Sequence, residues 1–144
     1  MIAIAIPLAL VHIDSGGLKL SLGLYRYVGA LLLVFGAGLY LRCLFDLTRF
    51  GQGIASPTDP TIFLVRKGMY RRLRNPMYLG GVLFFFGLPI YFEQGILLGY
   101  AVFVTLMYHL GVVFLEEPAL RARFGESYVR YCDEVPRWIP KVRS

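Results

Sequence analysis

The stretch Asn75–Pro118, NPMYLGGVLFFFGLPIYFEQGILLGYAVFVTLMYHLGVVFLEEP, decides how the chain folds. Asn caps exposed helix amides, and Pro suits a first helical position, where its missing N–H is not needed. The pair Asn75-Pro76 therefore predicts a helix beginning at residue 76. The chain then runs without a charge to Phe92, breaks at the turn FEQG, Phe92–Gly95, and resumes its apolar course to Leu115. As a helix, 95–115 is long enough to cross a hydrocarbon core of about 30 Å. The helix 76–92 is shorter and needs local thinning of the bilayer or a shallow tilt. Folded as an antiparallel hairpin, the two bring Glu116 and Glu117 back to the face where Arg74 and Asn75 stand.

The rest of the chain agrees with a membrane setting. Of 144 residues, 57% are hydrophobic and 17% charged, and the mean hydropathy is +0.61, far from the balance of a soluble domain. A further apolar segment, 26–45, spans if Arg26 and Arg42 snorkel at the interfaces. The opening segment 1–13 is apolar but short, compatible with a half-span, an interfacial helix or the remnant of a longer one. It has no basic n-region and no small-residue cleavage site, so it is expected to stay in the mature protein. No repeat divides the chain, and residues 1–144 read as a single domain.

The net charge of +6 is concentrated on one side. Arg49, Arg66, Lys67, Arg71, Arg72 and Arg74 lie between the second and third apolar segments, and six more basic residues follow the last. The positive-inside rule places the basic loop 46–75 and the C-terminus in the cytoplasm. Anionic headgroups account for this charge, and no nucleic-acid role is expected. Cys43 and Cys132 lack the company of a metal site, and neither a GxGxxG nor a Walker loop occurs.

The chemistry is expected where the hairpin's two ends meet. Free amides at the start of the helix, beside Arg71, Arg72 and Arg74, make an anion site. Facing Glu116 and Glu117, they form a bipolar pocket for a ligand carrying both an ammonium and a carboxylate. Simpler readings stand beside this one. The two acids also suit the dipole of a helix opened by Pro118, and the arginines, Tyr70 and Tyr78 also suit a membrane rim. His109, a polar side chain within a span, either serves function or bonds a neighbouring helix. Past Pro118, Leu120, Phe124, Tyr128 and Tyr131 recur at helical spacing, which predicts an amphipathic interfacial helix over 118–132.

The segments LVRKGMYRRLRNPMYLGG, Leu64–Gly81, and EEPALRARFGESYVRYCDEVPRWIP, Glu116–Pro140, resemble the isoprenylcysteine carboxyl methyltransferase family, its bacterial relatives and, more loosely, the phospholipid N-methyltransferases. The resemblance runs from about Phe50 to Pro140 and rests on the order and spacing of short motifs. It implies an enzyme that takes S-adenosylmethionine from the cytosol and methylates a lipophilic acceptor: the carboxylate of an isoprenylcysteine-like compound, or another lipid. Carried over by position, the cofactor site comprises Phe63, Leu64, Val65, Tyr70, Arg74, Asn75, Pro76, Met77, Tyr78 and Glu116, with no metal. Should the acceptor need a base, Glu117 and His109 are the candidates. Two positions depart from the eukaryotic carboxyl methyltransferases: Asn75 replaces a histidine, and Val112 replaces a substrate-binding arginine.

The expected architecture is thus an all-α integral membrane protein, a multi-span helical hairpin bundle with a C-terminal amphipathic cytoplasmic helix. Its partners are a lipophilic small molecule or lipid and the membrane itself. The alternatives are a non-enzymatic membrane scaffold or assembly protein and, further off, an NADPH enzyme like the sterol reductases, which share a similar motif fragment.

Overall fold

The computed structural model describes residues 6–7, 9–10, 23–51 and 63–139. Most of the segment 1–13, the middle of the basic loop at 52–62, and residues 140–144 with Lys141 and Arg143 lie outside the described residues. Among those described there is no β-strand. A 3₁₀ turn, Gly23–Tyr25, leads into α1, Arg26–Gly51; a second 3₁₀ turn, Gly68–Arg71, precedes α2, Pro76–Phe92. Then come α3, Gly95–Gly111, a π turn, Val112–Glu116, and the short helices α4, Glu117–Phe124, and α5, Glu126–Glu134.

Helix α2 begins at Pro76 and ends at Phe92, as Asn75-Pro76 and FEQG predict. Glu93 turns the chain at φ 58°, and the Gln94 N–H donates to Pro89 O at 3.3 Å. The next helix differs from expectation, continuing past Leu115 as an unbroken helical run, Gly95–Phe124. The π turn makes this possible. Proline lacks an N–H, and its ring presses on the carbonyl four residues back, so an ordinary α-helix breaks there. Just ahead of Pro118 the helix widens, and the Glu117 N–H donates to Val112 O, five residues back. The segment 118–132, expected as one helix, is divided by Gly125, whose φ of 53° and ψ of −132° suit only glycine.

The described residues fall into two compact units, one within Met1–Ala37 and Gly80–His109, the other within Gly38–Leu79 and Leu110–Ser144. In the first, α1 and α2 touch backbone to backbone. A Cβ on Gly36 would lie 2.5 Å from Phe84 N, and one on Gly29 would lie 2.5 Å from Tyr91 N. Small residues permit this approach where dispersion, not water, must hold helices together. Helix α3 packs antiparallel on α2 through Phe85, Leu88, Leu97, Ala101 and Val104. The Tyr100 ring stands edge-on to Phe85 at 5.7 Å. In the second unit, Cys43, Val65 and Tyr70 form one buried cluster, while Tyr128, Tyr131 and Val135 form another.

The outer faces of the long helices are apolar. Leu31, Val34 and Phe35 on α1, Val102, Phe103 and Leu106 on α3, and Phe114 and Leu115 beyond it are each more than half exposed. Gly23–Gly51 and Gly95–Phe124 are each long and apolar enough to cross a membrane, and Pro76–Phe92 is a shorter apolar helix. Lipid is the solvent that such a surface suits.

The glycine contact yields a paired prediction. Gly36→Ala forces the α1 and α2 backbones apart and is expected to destabilise by about 1–3 kcal/mol. Gly38 has nothing within 4 Å of a new Cβ, so Gly38→Ala is expected to be neutral or stabilising by up to about 1 kcal/mol, since Ala favours helix. Thermal unfolding of both variants in the same detergent measures the difference, and equal losses would contradict the close packing.

Candidate functional site

The site is built within the second unit, where the start of α2 meets the π turn and the C-terminal segment. Leu73 is buried, and the Arg74 N–H donates to Pro136 O at 2.9 Å, so the two residues ahead of Asn75 are fixed by packing and by a backbone bond. Asn75 precedes the helix and is 7% exposed. Its Nδ2 is buried and has no hydrogen-bond partner among the described residues. Buried amide donors are normally satisfied, so an orphan of this kind marks a place for an acceptor.

The acid pair separates into two environments. Tyr78 donates its hydroxyl to Glu116 Oε2 at 2.7 Å. Glu117 instead receives two guanidiniums. Arg137 donates Nε to Oε1 at 2.7 Å and Nη2 to Oε2 at 2.8 Å, a bidentate pair, and Arg74 Nη1 adds a third bond to Oε1 at 3.2 Å. The side chains of Arg74 and Glu117 are only 12% and 16% exposed. Arg74 Nη1 also lies 2.7 Å from Cys132 Sγ, while its Nε is buried and has no hydrogen-bond partner among the described residues. The hydrogen bonds from Arg137 to Glu117 raise the guanidinium's pKa further and keep it charged.

The surrounding tyrosines brace this arrangement. Tyr131 donates its hydroxyl to Tyr70 O at 2.7 Å, tying α5 to the 3₁₀ turn before α2. Burial pushes the phenols of Tyr70, Tyr128 and Tyr131 well above their ordinary range, so all three stay protonated at neutral pH. Arg66 and Glu134 form an ion pair at the surface beside them.

The candidate residues occupy different settings. Arg74, Asn75, Tyr78 and Glu116 lie in or beside the polar cluster, with Pro76 fully buried behind them. Met77 packs with Val65 and Tyr70 against α1, Leu64 packs against the cluster of Tyr128 and Tyr131, and Phe63 is exposed. His109 belongs to the first unit, where its side chain is exposed. Val112 is almost wholly buried in the π turn. Arg137, Cys132 and Tyr131 join the cluster without a motif in the sequence that marks them. The available signal was a lone arginine between two prolines, Pro136 and, one turn on, Pro140, but its partner is set by long-range folding.

Glu117 is expected to be the stability determinant of this cluster. Glu117→Ala leaves Arg74 buried and uncompensated, at a cost of about 3–5 kcal/mol. Arg137→Ala, which leaves Arg74 its carboxylate, is expected to cost less. Unfolding of the two single variants and the double variant gives the coupling energy; strict additivity would mean that no bridge exists in solution.

The sequence pattern of the phospholipid methyltransferase family matches residues 24–127, from the approach to α1 through the acid pair and into α5. No curated protein matches the chain. Among solved structures, a eukaryotic intramembrane Ras methyltransferase, isoprenylcysteine carboxyl methyltransferase, superposes with a TM-score of 0.66 at 20% identity. The match covers 98% of this chain and 52% of that one, so the chain spans about half the length of that enzyme. At this identity the superposition shows a shared fold. The family match covers most of the chain, helices and acid pair included, and the chain therefore belongs to the phospholipid methyltransferase family.

Proposed function

We propose that the chain is an S-adenosylmethionine-dependent methyltransferase working at the membrane interface on a lipophilic acceptor. The observation that supports this most is the meeting, in one unit, of an orphaned buried amide donor at a helix start with a carboxylate whose hydrogen-bond partner is a phenol. An amino-acid end group carries an ammonium and a carboxylate. Glu116 suits the first, and Asn75 Nδ2 with Arg74 Nε suits the second. The residues present therefore fit the cofactor that the family implies.

When bound, the cofactor supplies a methyl group on a sulfonium, open to in-line displacement. The chain's own part is alignment and exclusion of water. Glu116, Tyr78, Asn75 and Arg74 hold the polar end, Pro76 and Met77 form the helix start beneath it, and Phe63, Leu64, Val65 and Tyr70 contribute the adjoining segment. Glu117, with three N–H donors on its two oxygens, acts as a clamp and not as a base, because taking a proton would disrupt the Arg137 pair. His109 belongs to the first unit and is assigned no part in this reading. The acceptor that suits such a site brings its own nucleophile, as an ionised carboxylate on an isoprenylcysteine-like compound or another acidic lipid does.

In this reading α1, α2 and α3 span the bilayer, and the basic loop 46–75 and the C-terminus face the cytoplasm. Helices α4 and α5 lie at the interface, with Tyr128 and Tyr131 turned inward.

Calorimetric titration of S-adenosylhomocysteine into the purified protein tests the proposal. The wild type is expected to bind. Glu116→Gln, with unchanged circular dichroism, is expected to lose about tenfold or more in affinity, as befits a charged hydrogen bond. No binding by a well-folded wild type, in lipid as well as detergent, would remove the reading.

A further inference from the structure

Asp46 is an acid in the C-terminal part of the long helix α1, Arg26–Gly51, with 0% exposure. A buried carboxylate is costly unless something specific requires it. Its neighbour one turn earlier, Arg42, lies 3.4 Å from Oδ1, but the arginine side chain is 60% exposed, and pairs of that kind contribute little. The other oxygen makes the buried contact: Oδ2 accepts the backbone N–H of Met69 at 3.1 Å.

Met69 lies in the 3₁₀ turn Gly68–Arg71, and the turn is seated directly on the carboxylate. Gly68 has φ +60°, and a Cβ at that position would run into Asp46. Only glycine satisfies both the backbone angle and the contact. Tyr70, the next residue, packs with Val65 on Cys43, which shares a face of α1 with Asp46 at a spacing of three residues. From α5 the Tyr131 hydroxyl donates to Tyr70 O. The turn is thus fastened between α1 and α5, immediately ahead of Leu73, Arg74 and Asn75. An apolar residue at position 46 would pack as well but would orphan the Met69 N–H.

We infer that Asp46 is a positioning residue for the ligand site, acting through the backbone of Met69 to set the segment Phe63–Asn75. The inference rests on the methyltransferase reading and adds a residue to it that touches neither cofactor nor acceptor. Gly68 belongs to the same device.

The test uses the full chain in lipid nanodiscs, with Asp46→Ala and Asp46→Asn compared with wild type. Two quantities are read: hydrogen exchange of peptides covering 63–75, with peptides from 80–109 as reference, and S-adenosylhomocysteine affinity. Asp46→Ala is expected to speed exchange in 63–75 alone and to weaken binding about tenfold or more. Asp46→Asn keeps an acceptor oxygen for Met69, and the exposed Arg42 can turn to water, so exchange and affinity are expected to stay within about threefold of wild type. Should the alanine variant not fold, Gly68→Ala, which lifts the turn off the carboxylate from the other side, is expected to give the same loosening and the same weaker binding. Unchanged exchange, faster exchange with wild-type affinity, or equal losses in the alanine and asparagine variants would each overturn the inference. A folded wild type that does not bind at all is a separate outcome, which overturns the methyltransferase reading and this inference with it.

Discussion

Three parts of the chain that are far apart in sequence depend on one carboxylate. Glu117 holds Arg74, at the start of α2, and Arg137, in the C-terminal segment. Neither arginine could lie so near the other without that anion between them, and the anion could not be so far buried without them. The backbone bond from Arg74 to Pro136 runs alongside and closes the same junction. The site depends on this closure, which holds the orphaned donors of Asn75 and Arg74 in the unit that carries Glu116.

The bridge also explains why two adjacent acids behave differently. Successive residues of a helix point in directions about 100° apart, so Glu116 and Glu117 cannot address the same partner. The π turn widens the helix where they stand, and the Glu117 N–H reaches back to Val112 O. One acid faces the guanidiniums, and the other meets the Tyr78 hydroxyl. Pro118 thereby has two roles. It forces the widened turn that separates the acids, and it serves as an early residue of α4, so the helical run carries on to Phe124.

Much of this was legible in the sequence wherever the deciding chemistry is local. Asn75-Pro76 marks a helix start by its own capping and backbone preferences, and FEQG marks a turn between two uncharged runs. Helix length alone then returns Glu116 and Glu117 to the start of α2. The rest depends on distant groups. Pro118 is ambiguous by itself, since the same residue opens a new helix or sits in a widened one, and only the register of the π bond tells them apart. Gly125 is one glycine among sixteen, and nothing beside it announces that its backbone will leave the helix. Arg137 reads as a rim cation until Glu117 is seen against it. Asp46 had a signal, an acid directly after an apolar segment and four residues after Arg42, but its main partner is a backbone N–H, which no side-chain pattern reports. Val65 and Tyr70 were predicted for their motif positions; their burial against Cys43 follows from the path of the chain around α1.

Charge balance in the cluster narrows what a ligand can be. Two guanidiniums and two carboxylates stand together there, and the bidentate pair with the additional Arg74 bond engages both oxygens of Glu117. The remaining polar capacity consists of one carboxylate, Glu116, and neutral or already paired donors at Asn75 and Arg74. A simple anion would find no uncommitted cation in the cluster and would face Glu116 at close range. A simple cation would find Glu116 but leave the orphaned donors unsatisfied. A group carrying both charges satisfies both sides and leaves the partly buried site nearly neutral, which at low dielectric is the condition for charges to stay buried at all. The amino-acid end of the proposed cofactor, S-adenosylmethionine, meets that condition, with its ammonium toward Glu116 and its carboxylate toward the orphaned donors of Asn75 and Arg74.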